Sequence, residues 1–188
     1  MIDHVKESFV LTYDSLTHPK ETLSLITKEQ RLYEGLWIWF LTILLTVFSV
    51  FAQWERSSVL TFIGIYLGAG LFLLIRLACL HGTSRMLGGK GTMKGLLAAI
   101  CFADVPMNLA TLAESFVFLI PEELVHIISI VASVWSFVLL VLAVMANYKM
   151  SALRSVLSII LPVVIVTGCI VLFFIYIAVS VVTWIPGL

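Results

Sequence analysis

Five long apolar stretches dominate this chain, and they leave few ways for it to fold. They run from Leu36 to Gln53, Val59 to Leu80, Gly95 to Ile120, Leu124 to Ala146 and Val156 to Trp184. An α-helix rises about 1.5 Å per residue, so about 20 residues cross a hydrocarbon core of about 30 Å. All five suffice, the first only just. Strands of a membrane barrel alternate polar and apolar residues; runs such as LWIWFLTILLTVFSVFA do not. Only 12% of the 188 residues are charged, about half the share of a water-soluble domain. The expected fold is therefore all-α: a polytopic membrane bundle of five transmembrane helices. Residues 1–34 form a polar N-terminal segment with a short amphipathic helix, and 35–188 the five-helix transmembrane domain.

Orientation follows from where lysine and arginine fall. The N-terminal segment carries Lys6, Lys20, Lys28 and Arg31, the second connection Arg85, Lys90 and Lys94, and the fourth Lys149 and Arg154. The opposite side holds Arg56 alone, and Arg76 lies within the second span. This places the N-terminus in the cytoplasm and the C-terminus outside; the short N-terminal segment favours a prokaryotic plasma membrane over an organelle membrane. The formal net charge is zero, which gives nucleic acid no general attraction. The first 34 residues lack the charged start and apolar core of a signal peptide. Cys79, Cys101 and Cys169 fall within apolar spans and are expected as small buried hydrophobes.

The segment HGTSRMLGGKGTMK, residues 81–94, concentrates glycine and positive charge. A phosphate-binding loop needs a glycine, four spacers, then Gly-Lys and a hydroxyl residue. Lys90 follows Gly89, but Ser84 stands at the first glycine position and Gly91 at the hydroxyl position. The segment therefore reads as a turn at the membrane surface. His81, Arg85, Gly88, Gly89, Lys90, Gly91 and Lys94 are candidate contacts for lipid headgroups or a partner.

Four further features accompany that segment: Asp104-Val-Pro106, an HPKET stretch with Pro19 and Glu21, Trp135, and NYKMSALRSVLSIILP leading into the last span. In this order they resemble the signature of the Yip family, the Ypt-interacting proteins, over nearly the whole chain from about residue 12. The resemblance implies a five-helix membrane protein with a cytoplasmic N-terminus. Eukaryotic members carry a longer N-terminal cytosolic region and are associated with Rab-type small GTPases and vesicle traffic. The short segment here resembles a compact prokaryotic member and disfavours a small GTPase as partner.

Within the N-terminal segment, Pro19 after His18 and Glu21 in the first turn mark a helix start. Leu23, Ile26 and Tyr33 recur near helical spacing, with Leu25 and Leu32 beside them. This helix either caps the bundle along the membrane face or docks a partner.

The third span carries the most informative chemistry. Asp104, Asn108, Thr111 and Ser115 share one helical face over about 16 Å. Pro106, within the stripe, removes a backbone donor and permits a kink. A carboxylate inside a bilayer costs about 3 kcal/mol or more unless protonated, paired or hydrated. Arg76 is the candidate cation, if the second and third spans are antiparallel neighbours, and His81 is a further partner nearer the surface. The alternative sends Arg76 to the headgroups and Asp104 to backbone freed by Pro106. In the fourth span His126, Ser129, Ser133 and Ser136 form a possible opposing stripe, and Gly64 and Gly68 in the second are a small-xxx-small packing signal for a homo-oligomer.

No serine, histidine or cysteine spacing forms a nucleophile or metal motif, so no catalytic residue, metal or cofactor is expected. His126 beside Glu122 and Glu123 reads as a solvated helix start. Two functions remain. One is a scaffold or accessory subunit that binds another membrane protein, a trafficking or transport component. The other is a small transporter, channel or lipid-moving protein using a polar seam between the third and fourth helices.

Overall fold

The computed structural model describes residues 2–53, 59–116 and 120–184, and these are all-α. The N-terminal segment is more helical than its sequence pattern predicts. Residues ahead of His18 form α1, Ile2–Thr17, followed by α2, Pro19–Glu29. Pro19 occupies the first turn of α2, and Gln30 ends it in the left-handed region at φ 52°. α2 buries Thr22, Leu23, Ile26 and Thr27 as a single stripe against α5 and α7. Of the expected stripe, Tyr33 is exposed because Gln30 ends the helix and Tyr33 belongs to α3, Leu32–Gln53; Leu25, beside the stripe, is off the buried face of α2 and exposed.

Four helical stretches among the described residues are long and apolar enough to cross a bilayer. They are α4, Val59–Met86; the pair α5, Met93–Ala103, and α6, Val105–Ser115; α7, Glu122–Tyr148; and α8, Ala152–Trp184. α3 spans 22 residues, but its apolar part with described side chains, Leu32–Val47, is shorter than a crossing. Arg56, the expected lone cation of the far side, lies outside the described residues.

The expected third span is two helices rather than one, and it stops at Ser115 instead of Ile120. The break is at Asp104, one residue before α6, with Pro106 at the start of the new helix. Proline cannot donate to the carbonyl four residues back, so the ladder ends and restarts: Asp104 N–H donates to Ile100 O, and Asn108 N–H donates to Asp104 O. The α5–α6 pair is the central element, flanked by α3, α4 and α7. Its residues Leu96, Ile100 and Phe102 are fully buried with Leu77 and Leu139.

α8 leans away from this core and is almost entirely exposed. Near its start, Pro162 lies inside the helix and leaves the Ser158 carbonyl without its helical donor. Thr83 Oγ1 supplies the missing bond at 2.8 Å, fastening α8 to α4. The three cysteines are free; Cys101 is buried, Cys79 partly so, and Cys169 is exposed on α8. The last departs from the expected burial because, among the described residues, nothing packs on α8 at that level.

Candidate functional site

The segment expected as one loop from 81 to 94 is mostly helix. His81 to Met86 complete α4, Met93 opens α5, and only residues 87–92 connect them. Helix persists because residues 81–86 contain a single glycine, while Gly88 adopts φ 87°, open to glycine at no steric cost. The other glycines serve close packing. A methyl on Gly91 would lie 2.6 Å from the Asn147 side chain, and one on Gly89 2.8 Å from Tyr148. One on Gly95 would meet Asn147 Oδ1 at 2.5 Å. Asn147 Nδ2 donates to Thr92 O at 2.9 Å, Lys90 N–H donates to Tyr148 O at 3.3 Å, and Thr92 Oγ1 caps α5 by accepting from Gly95 N–H. The connection is thus seated on the end of α7. Arg85, Lys90 and Lys94 remain exposed.

This seating brings α4 beside α5 and joins Arg76 to Asp104, with Nη1 to Oδ2 at 2.6 Å and each side chain 25% exposed. Asp104 stands at the N-terminus of α6 yet makes no side-chain cap there; its carboxylate is turned to the guanidinium. The pair borders two cavities. One, of about 300 Å³, lies between α3, α4 and the α5–α6 break, where Thr42, Thr46, Asp104 and Asn108 supply its polar lining. The other, about 400 Å³ and apolar, lies between α4, α7 and α8 beside Pro162. Arg76 lines both.

His81 does not approach Asp104. Its Nδ1 lies 2.6 Å from the hydroxyl of Tyr148, where the seating of the 87–92 connection on the end of α7 brings the last turns of α4.

The two stripes also meet differently from the expected facing arrangement. Ser136 Oγ accepts from Met107 N–H at 3.1 Å, replacing a helical bond lost at the break. Ser133 Oγ lies 3.3 Å from Met107 Sδ, and Ser129 Oγ donates to Glu114 Oε1 at 2.9 Å. Met107 and Glu114 sit about 60 to 80° round the helix from Asp104, so α7 meets a neighbouring face while Asp104 and Asn108 face the α3–α4 cleft. Thr111 Oγ1 donates to Met107 O at 3.2 Å. The side chain of Ser115 lies outside the described residues. His126 is apart from the seam, 3.6 Å from Glu122 with both side chains exposed.

A network that the sequence pattern did not single out ties α1 to α3. Arg31 pairs with Glu7, with Glu29 at 2.6 Å and with Glu34 at 3.8 Å, while His4 Nδ1 lies 3.1 Å from buried Glu34. The hydrogen bond that Arg31 donates to Glu29 foremost, with that to Glu7 adding to it, raises the Arg31 pKa above its ordinary value. His4, Glu7 and Glu34 offer ligand atoms within 4.8 Å of one another, but the guanidinium already supplies their positive charge. The i, i+3 spacing of Arg31 and Glu34 was the one signal available for it.

No curated protein and no solved structure matches the chain. The family model for the Yip1 domain matches residues 13–185, the stretch that holds the Arg76–Asp104 pair, the seated glycine connection and every candidate span, and the chain belongs to that family of multi-pass membrane proteins.

Proposed function

We propose that this Yip-type membrane protein is a five-span scaffold or accessory subunit that binds another membrane protein, with no catalytic step of its own. In this reading α3 is the fifth crossing, the N-terminus and the connections at 87–92 and 149–151 face the cytoplasm of a prokaryotic cell, and the C-terminus lies outside. The observation that carries it is the closed core on the loop side of Arg76–Asp104: Leu77, Ile100, Phe102 and Leu139 are almost wholly buried. A polar stripe that ends on packed hydrocarbon lends itself to holding helices together rather than to passing solute. The exposed faces of α4 and α8 then offer surface to lipid, to a partner helix or to a second copy through Gly64 and Gly68.

The 300 Å³ cleft above Asp104 favours the second reading, a transport path. Two measurements on one preparation separate them. Purification in mild detergent is expected to recover a stoichiometric membrane partner, released by Lys90→Glu with Lys94→Glu. Reconstituted protein is expected to move no ion, solute or lipid above empty liposomes; movement that Asp104→Asn abolishes in a folded protein would replace the scaffold with the path.

A further inference from the structure

A second polar pocket lies at the loop end, away from Arg76 and Asp104. It encloses about 310 Å³ where the end of α2, the 87–92 connection and the end of α7 converge. Three ammonium groups line it, Lys28, Lys90 and Lys149, and no carboxylate does. Among the described residues none of the three enters an ion pair.

Their backbones are fixed. Lys90 lies between the two glycines seated on α7, and its N–H bond to Tyr148 O ties it to the residue preceding Lys149. Lys149 is itself left-handed at φ 53°, and Lys28 precedes the left-handed cap of α2 by two residues. Gathering three like charges without a counterion raises the energy of the free protein, and an anion relieves it. Thr27, Gln30 and Asn147 add neutral hydrogen-bonding groups to the same walls.

A neighbouring hollow of about 260 Å³ shares Ser24 and Ala146 with this pocket. Leu142, Met145 and Met150 give it apolar walls, and Lys20 stands at its edge. A phosphate pocket that continues into an apolar groove along the last turns of a membrane-crossing helix matches a molecule with a charged head and a greasy tail. We infer that the α2–α7 pocket binds an anionic phospholipid, with the phosphate held by Lys28, Lys90 and Lys149 and the start of an acyl chain on Leu142 and Met145.

The test is native mass spectrometry of the full-length, delipidated protein in neutral detergent, titrated with phosphatidic acid, phosphatidylcholine or inorganic phosphate. One phosphatidic acid per chain is expected to bind in preference to phosphatidylcholine. Lys28→Gln/Lys90→Gln/Lys149→Gln is expected to weaken it by at least about tenfold. Lys6→Gln/Arg154→Gln, which removes as many charges as the double variant Lys28→Gln/Lys90→Gln, is expected to weaken it by less than about twofold. Because Lys149 ends α7, the double variant Lys28→Gln/Lys90→Gln repeats the measurement with that cap intact, and it too must lose affinity. Equal loss in the control variant, equal binding of phosphatidylcholine, or retained binding in the double variant would overturn the site. Inorganic phosphate that binds as tightly and displaces the lipid would overturn the lipid assignment in favour of a free anion.

Discussion

Two sets of glycines, one in the connection seated on α7 and the start of α5, the other along α4 and α8, are used in opposite ways. Where α2, the 87–92 connection and α7 meet, a methyl on Gly89, Gly91 or Gly95 would fall within 2.8 Å of Tyr148 or Asn147. On the outer stretches of α4 and α8, one on Gly64, Gly68 or Gly168 would meet nothing within 4 Å. The first set is spent on close packing inside the chain. The second leaves shallow, open helix faces. The backbone is closely packed at one end of the molecule and openly exposed along the other. Arg76 and Asp104 stand on the boundary, with Ile100 to Ala103 buried on one side and Met107 and Leu109 exposed on the other.

Substitution at the packed end breaks this contrast most severely if it is wrong. Gly95→Ala is expected to cost about 3 kcal/mol, because both Asn147 and the Thr27 carbonyl would have to move; thermal unfolding in detergent would register a clear fall in Tm. At the boundary, Asp104→Asn strands a guanidinium in a partly buried place. A fully buried broken pair costs about 3 to 5 kcal/mol. With both side chains a quarter exposed, roughly 2 kcal/mol is expected, and adding Arg76→Gln should recover part of it in a double-mutant cycle.

The junction of α8 with α4 sharpens the comparison at smaller scale. Thr83→Val removes the donor that satisfies Ser158 O, for a loss of about 1 to 2 kcal/mol. Pro162→Ala gives that carbonyl a helical donor again, so Thr83→Val should cost less in that background. The smallest effect belongs to the open face: Gly68→Ala is expected to change monomer stability by no more than about 0.5 kcal/mol, and a drop as large as that of Gly95→Ala would erase the distinction between the ends.

Long apolar runs made the four described crossings legible, because hydrocarbon demands length and little else. The Arg76–Asp104 pairing was one of two arrangements the sequence left open: a carboxylate in a greasy run needs a cation, but Arg76 could equally have reached the headgroups. α1 was not. It buries Ser8 and Ser15 beside Leu11 and turns Phe9 and Tyr13 outward, the reverse of the pattern that reveals a helix packed on a core. The partners of His81, Gly91 and Gly95 were hidden for another reason. Asn147 and Tyr148 lie more than 50 residues away in the chain, and although they open the NYKMSALRSVLSIILP stretch, that pattern does not say what they touch. Pro106 announced a kink, but a full break with Ser136 bonding the freed Met107 N–H depended on which face α7 presents.

The central claim is that the packed, lysine-bearing end is the cytoplasmic face of a five-span bundle, and thiol labelling in intact cells tests it most directly. In a cysteine-free background, Lys28→Cys, Lys90→Cys, Lys149→Cys and Glu122→Cys would each be exposed to a membrane-impermeant maleimide before and after permeabilisation. The account predicts that only the Glu122 position reacts from outside and that the three lysine positions react together once the membrane is opened. Reaction of any lysine position in intact cells, or a split among the three, would contradict it.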